Sequence, residues 1–443
     1  MFTSRSAKYD DCKRLCEVNA LEDVQKEIPQ KQKRDCKVFC KWLITAFFVL
    51  FILTMSGLIH DVQNRDEGKV ISCYYNTPDY SVSHQLLPSN IRANLCTHIN
   101  VAFAKVKDNK IYLDTSQQQT LTDLVKLKLK NPNLKILLSV AGGKGDRGFP
   151  DMVVNHASRK VFIKSIKAVL RNFSLDGIDL DWEFPAVNNY RGTYHKRERQ
   201  HFSQLLREIK AEYIRERQNY LLTVAVAAPE SIVSVAYDIS MLNEYVDFIN
   251  LMTYDFHFFS NVTPLTGLNS PLYQGEKENF LLDTLNVNST VNMYMRKGLE
   301  ASKIVVGIPT YGHSFTLVNA DNPNIGSPAS GYGSLGGNGF VLYPDICKFL
   351  NEYSAEVTIV QDQEARVPYA YRNREWVSFD SPQSVVEKAT YIKNNNLRGA
   401  MIYSLSADDH EGVCGGRLGN RGKFPLAESI KSALVATKYW VKE

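Results

Sequence analysis

From residue 70 onward, eight short apolar runs rich in β-branched and aromatic residues recur at 70–75, 97–104, 135–141, 175–182, 221–227, 247–253, 304–309 and 398–404. Amphipathic segments separate them, the pattern of successive βα units. Eight such units predict an α/β fold, a closed (β/α)8 barrel of the TIM type, with reacting groups at the C-terminal ends of the strands. The interval between the seventh and eighth runs spans about 90 residues, too long for one helix. An inserted α+β subdomain is expected at 312–380. It contains the Gly-rich 326–340 and the aromatic-rich 367–379, and would form one wall of a cleft.

The fourth run, LDGIDLDWEFP (175–185), concentrates acids in an apolar segment. Side chains alternate along a strand, so Asp179, Asp181 and Glu183 share one face while Ile178, Leu180 and Trp182 share the other. Same-face neighbours lie roughly 7 Å apart. Crowded, partly dry carboxylates split their pKa values, which leaves one protonated at neutral pH as a general acid. Asp176 falls on the opposite face and reads as structural. A calcium loop would need a Gly and a distal Glu at spacings absent here, and a solvated loop would not alternate with Ile, Leu and Trp.

Ahead of the barrel, 42–59 is an 18-residue run without charge, which suits one bilayer crossing. A cleaved signal peptide fits less well, because 41 residues precede the run and no Ala-x-Ala site follows it. Five basic residues and one acid occupy 31–41, whereas 60–70 holds three acids and two bases. The positive-inside rule then predicts a single-pass type II signal-anchor. Residues 1–41 would be a cytosolic, disordered tail, 60–69 a short stem, 70–436 an extracellular or lumenal catalytic domain and 437–443 a C-terminal tail. Cys73, Cys96, Cys347 and Cys414 would lie on the oxidising side and can pair. The sequons at Asn172, Asn261 and Asn288 would be open to glycosylation. Cys12, Cys16, Cys36 and Cys40 would remain cytosolic. The net charge of +5 is too diffuse for a nucleic-acid partner, and 22% charged with 44% hydrophobic residues excludes wholesale disorder.

Asp176 to Glu183 completes Asp-x-x-Asp-x-Asp-x-Glu, and on this motif the chain resembles glycoside hydrolase family 18, the chitinases and chitinase-like proteins. Further stretches are similar: CYY (73–75), CTHINVAFA (96–104), KILLSVAGG (135–143), LMTYDFH (251–257) and KIVVGIPTYGHSFTL (303–317). The resemblance implies a Cys73–Cys96 bridge and a substrate-assisted retaining hydrolysis of β-1,4-linked N-acetylglucosamine oligomers or polymers. Glu183 would protonate the leaving oxygen and Asp181 would bind the acetamido N–H of the substrate. Asp179 would share a proton with Asp181. Tyr254 would orient the acetamido oxygen, Met252 and Asp255 would shape the pocket, and Tyr74, Phe103, Tyr311 and Tyr403 would line the cleft. Neither a cofactor nor a metal is implied.

Several positions depart from the family pattern. Ala141 replaces the first Gly of Ser-x-Gly-Gly, Gly143 stands where a Trp follows that motif, and His313 stands where an Arg is usual. Tyr403 occupies the place of the Trp that floors the cleaved-sugar site. The acids are intact while the stacking surface is thinned. Two function classes follow, a membrane-anchored glycosidase and a catalytically weak or inactive glycan-binding protein.

Overall fold

The computed structural model describes residues 68–78, 85–187, 197–275, 284–415 and 422–435, together with Thr45, Phe48, Val49 and Phe51. The tail at 1–41, most of the 42–59 run, 60–67 of the stem and the tail at 437–443 lie outside the described residues. Among the described residues no helix is long and apolar enough to cross a membrane. The compact unit Lys69–Glu443 carries the fold.

Eight parallel strands close into a barrel: β1 (Val70–Asn76), β2 (His98–Lys107), β4 (Lys135–Ala141), β5 (Gly177–Asp181), β6 (Leu221–Val226), β7 (Phe248–Leu251), β8 (Ile304–Pro309) and β15 (Gly399–Tyr403). β1 pairs with both β15 and β2, which closes the ring. The short strand β3 (Lys110–Tyr112) forms an antiparallel hairpin with β2. The barrel strands lie where the apolar runs predict them. The fourth ends at Asp181, so Glu183 stands in the loop just past it.

Helix starts follow local chemistry. Asp114 caps Thr115–Val125 in a capping box with Gln117, Asn155 caps His156–Asn172, Asp238 caps Ile239–Tyr245, and Asn286 caps Val287–Arg296. Between β1 and β2 the described residues contain only the short turn Pro88–Asn90, and the Cys73–Cys96 disulfide ties this connection to the barrel.

Strand alternation sorts the interior into two environments. Ile71, Cys73 and Tyr75 of β1, Ile178 and Leu180 of β5, and Ala400 and Ile402 of β15 face the helices in one large apolar core. Trp182 joins that core, stacked on Phe149 at 5.2 Å and edge-on to Phe202 at 5.8 Å. The opposite faces fill the barrel with polar side chains below and aromatic ones above.

Between β8 and β15 the chain builds a second, antiparallel sheet. It consists of β9 (Tyr311–Leu317), β10 (Ala329–Tyr332), β11 (Phe340–Leu342), β12 (Thr358–Gln361), β13 (Pro368–Arg372) and β14 (Glu375–Ser378). The helix Tyr343–Glu352 interrupts it, and its Cys347 is bridged to Cys414. Phe315, Leu317, Tyr369 and Trp376 form this sheet's own core.

Candidate active site

The parallel register aligns Ser139 with Asp179 and Asp179 with Thr223 on three neighbouring strands. All three are fully buried, together with Ser72, Asn100 and Asn250. Four donors converge on Asp179. Tyr74 and Ser139 hydroxyls donate to Oδ2, both at 2.7 Å, while Thr223 and the Asn250 amide donate to Oδ1 at 2.6 and 3.0 Å. Four hydrogen bonds fix the carboxyl group in one orientation. Two residues further, Asp181 is the last residue of β5 and is 3% exposed.

Glu183 is half-buried at the top of this row, and its Oε1 accepts from the Gly143 amide at 2.7 Å. Burial raises its pKa above the ordinary carboxyl range, the Gly143 amide opposes that shift, and the Asp255 charge adds to it. Asp176, by contrast, points to the other end of the strand. It accepts from the Ile136 amide at 2.8 Å and pairs with Lys128 at 2.6 Å, a structural tie as its face predicts.

The loop after β7 supplies the facing wall. Asp255 Oδ1 accepts from the Tyr311 hydroxyl at 2.5 Å and lies 2.7 Å from His313 Nε2. His313 therefore takes up the carboxylate partnership at a position where the motif comparison expected Arg. Tyr74, Tyr254 and Tyr311 are buried in one cluster, with Phe103, Met252 and Tyr403 packed against it partly exposed. Tyr403 stacks on Tyr254 at 5.5 Å and 24°, and lies 5.5 Å from Tyr74 and 6.2 Å from Tyr311. Burial, then neighbouring groups that include Asp181 or Asp255, pushes all four phenols above their ordinary range. Each remains a hydrogen-bond donor at neutral pH.

Phe103 covers Gly142 so closely that a Cβ at Gly142 would lie 2.6 Å from its ring. At Gly143 the nearest neighbour to such an atom among the described residues is Glu183 Oε1 at 4.0 Å. Neither described tryptophan reaches the site, since Trp182 and Trp376 are both core residues.

All ten residues expected at the site thus meet at the C-terminal end of the barrel. The polar residues beneath them were not among those expected at the site. Ser72, Asn100, Ser139, Thr223 and Asn250 were visible as single polar residues inside otherwise apolar strands. Two further aromatic residues join the site without a sequence signal: Phe340, which stacks on Tyr311 at 4.3 Å while 38% exposed, and Phe258, which is 48% exposed and 5.9 Å from His313. These rings prolong the aromatic surface from the cluster toward the second sheet. Chemically, the site offers a half-buried acid whose pKa is raised, a row of carboxylates beneath it and aromatic faces alongside.

The sequence profile of Glycosyl hydrolases family 18 matches residues 70–408. Chitotriosidase-1 of Mus musculus is 36% identical over 84% of this chain and 79% of its own length. A Group IV chitinase from Ostrinia furnacalis superimposes with a TM-score of 0.76 at 32% identity, covering 83% of this chain and all of that one. Human YKL-39, described as a pseudo-chitinase with retained chitooligosaccharide binding, gives a TM-score of 0.75 at 35% identity over the same shares. The barrel closure, the acid row on β5 and the sequence match agree, and the chain belongs to glycoside hydrolase family 18.

Proposed function

We propose that the protein is a chitinase-like glycosidase that cleaves β-1,4-linked N-acetylglucosamine chains by substrate-assisted retention. The observation that carries this reading is Glu183, half-buried with its pKa raised, at the top of the Asp179–Asp181 row. In this scheme Glu183 gives its proton to the glycosidic oxygen as the C–O bond breaks. The carbonyl oxygen of the substrate's own 2-acetamido group attacks the anomeric carbon and closes an oxazolinium ring, which water then opens. Asp181 accepts from the acetamido N–H and offsets the developing positive charge. The four donors on Asp179 support an accepting role, so any proton shared with Asp181 must displace one of them. Tyr254 donates to the acetamido oxygen, and Met252, Asp255, Phe103, Tyr311 and Tyr403 shape the pocket.

A second reading, glycan binding without turnover, is favoured by the missing indoles at Gly143 and Tyr403 and by the pseudo-chitinase among the neighbours. Incubating the full-length protein and Glu183→Gln with N-acetylglucosamine oligomers of increasing length separates the two. The glycosidase reading expects wild-type cleavage, a loss of 10²- to 10⁴-fold in the variant and retained binding. A variant that keeps most of the wild-type rate would sink the assignment.

The same proposal includes a type II membrane anchor at 42–59, with the barrel extracellular or lumenal. The charge asymmetry around the run supports it. Exposed Asn172 and Asn261 would then be glycan acceptors. Asn288 is a poorer one, being partly buried with its Oδ1 accepting from Tyr391 at 3.1 Å and Asn292 at 3.0 Å.

A further inference from the structure

The helix Pro382–Asn394, which follows the second sheet, buries a cation. Lys388 is 0% exposed, and its Nζ donates to Asp380 Oδ2 at 2.7 Å and to Ser270 Oγ at 2.8 Å. Ser270 in turn donates to the carbonyl of Thr253, the residue before Tyr254, at 2.7 Å. The other Asp380 oxygen accepts from Ser384 at 2.6 Å. Burial presses the ammonium toward its neutral form while Asp380 opposes that shift.

A buried ion pair is a poor source of stability, because desolvation offsets its attraction and an apolar pair of similar volume often does as well. What this pair does hold is Ser270, at the end of the segment 268–270 that lies along the loop after β7. Asn269 of the same segment is tied separately, its backbone amide to Ser378 Oγ at 2.8 Å and its side-chain amide to the Tyr311 carbonyl at 3.1 Å. The Asp255 amide donates to Asn269 Oδ1 at 2.9 Å, the Phe256 amide donates to the Asn269 carbonyl at 3.1 Å, and His257 Nδ1 is 2.9 Å from the Leu268 carbonyl. Asp255 has a φ of 57°, a left-handed conformation that a non-glycine residue keeps only where its surroundings over-determine it.

We infer that Lys388 is a positioning residue: through Ser270 and the Thr253 carbonyl, it fixes the backbone that presents Tyr254 and Asp255 to the site. It touches none of the groups that would meet substrate, and it lies 134 positions beyond Tyr254 in the chain, 388 less 254. The inference rests on the glycosidase reading, deepens it, and is testable separately from it.

Two variants of the full-length protein test it. Ser270→Ala cuts the link and leaves the ion pair, while Lys388→Met with Asp380→Leu removes both charges and keeps apolar volume. Each is expected to lower kcat on the N-acetylglucosamine tetramer roughly ten- to a hundredfold, with the melting temperature within a few degrees of wild type. Because the Asp255 charge helps hold the Glu183 proton, the alkaline limb of the kcat profile should also move to lower pH. Combining all three substitutions should cost no more than the pair alone, since the steps act in series. Wild-type kcat and an unmoved limb in Ser270→Ala would overturn the inference, as would full activity in the charge-free pair. Should the pair fail to fold, Ser270→Ala decides by the same readouts. Should wild type itself not cleave, the glycosidase reading fails on its own, and tetramer affinity decides instead. Tenfold weaker binding in Ser270→Ala supports positioning, and unchanged binding overturns it.

Discussion

A carboxylic acid can donate a proton at the glycosidic oxygen only while it still holds one, and Glu183 holds its proton above the usual carboxyl range because it is half-buried and near Asp255. Activity should therefore survive above pH 4.5, the ordinary value, and fall as pH rises through the raised one. Folding runs with the same sign. The unfolded chain releases this proton earlier than the folded one, so Glu183 costs stability as pH rises from 4.5 through its folded value. Glu183→Gln should consequently melt higher than wild type above that window and equal to it at low pH, which calorimetry at several pH values measures. Equal melting curves at every pH would contradict the buried-acid account. Tyr403 raises a different question, since a phenol offers less stacking surface than an indole. Extra aromatic contact is worth on the order of 0.5–1.5 kcal/mol, and each 1.4 kcal/mol is about a factor of ten. Tyr403→Trp should raise turnover on short oligomers several-fold, with affinity and kcat measured on one folded preparation. Tighter binding without faster cleavage would move the assignment to the glycan-binding reading.

At the scale of the element, the turn after β4 carries more constraint than its length suggests. Ala141, Gly142 and Gly143 all have positive φ, at 89°, 67° and 45°. Gly142 must also leave room for the Phe103 ring, and the next amide is the donor to Glu183. Gly142→Ala should thus destabilise the protein by about 1–3 kcal/mol through overpacking and displace the Gly143 amide from Glu183. Denaturant unfolding reads the first effect, and a shift in the alkaline limb of the activity profile reads the second. This turn was only partly legible in the sequence. SVAGG marked a motif, but its contact with Phe103 depends on how β2 and β4 end side by side, a register set by the closed sheet. The alternation of Asp179 and Asp181 was legible, because a period of two along β5 needs no tertiary information, whereas Glu183 lies just past the end of that strand.

For the molecule as a whole, the glycan acceptors test topology. If the barrel is extracellular or lumenal, protein from secretory-pathway cells should migrate faster after glycosidase treatment, and Asn261→Gln with Asn172→Gln should abolish most of that shift. Unchanged migration would argue against the type II orientation. Strand positions, helix caps, the long β8–β15 interval and the acids on and just past β5 follow from local periodicity and side-chain chemistry, so the sequence alone determined the barrel and the acid row at its C-terminal end. The polar layer around Asp179 did not, because it joins residues of β1, β4, β6 and β7 that meet only when the ring closes. The Phe340–Tyr311 stack likewise needs β11 paired to β9. Lys388 was silent for the same reason: a lone lysine in an amphipathic helix looks solvated, and only tertiary packing buries it against Asp380 and Ser270. Local forces act over a few residues and can be read in order along the chain, whereas contacts between distant segments exist only once the fold has brought them within hydrogen-bonding reach.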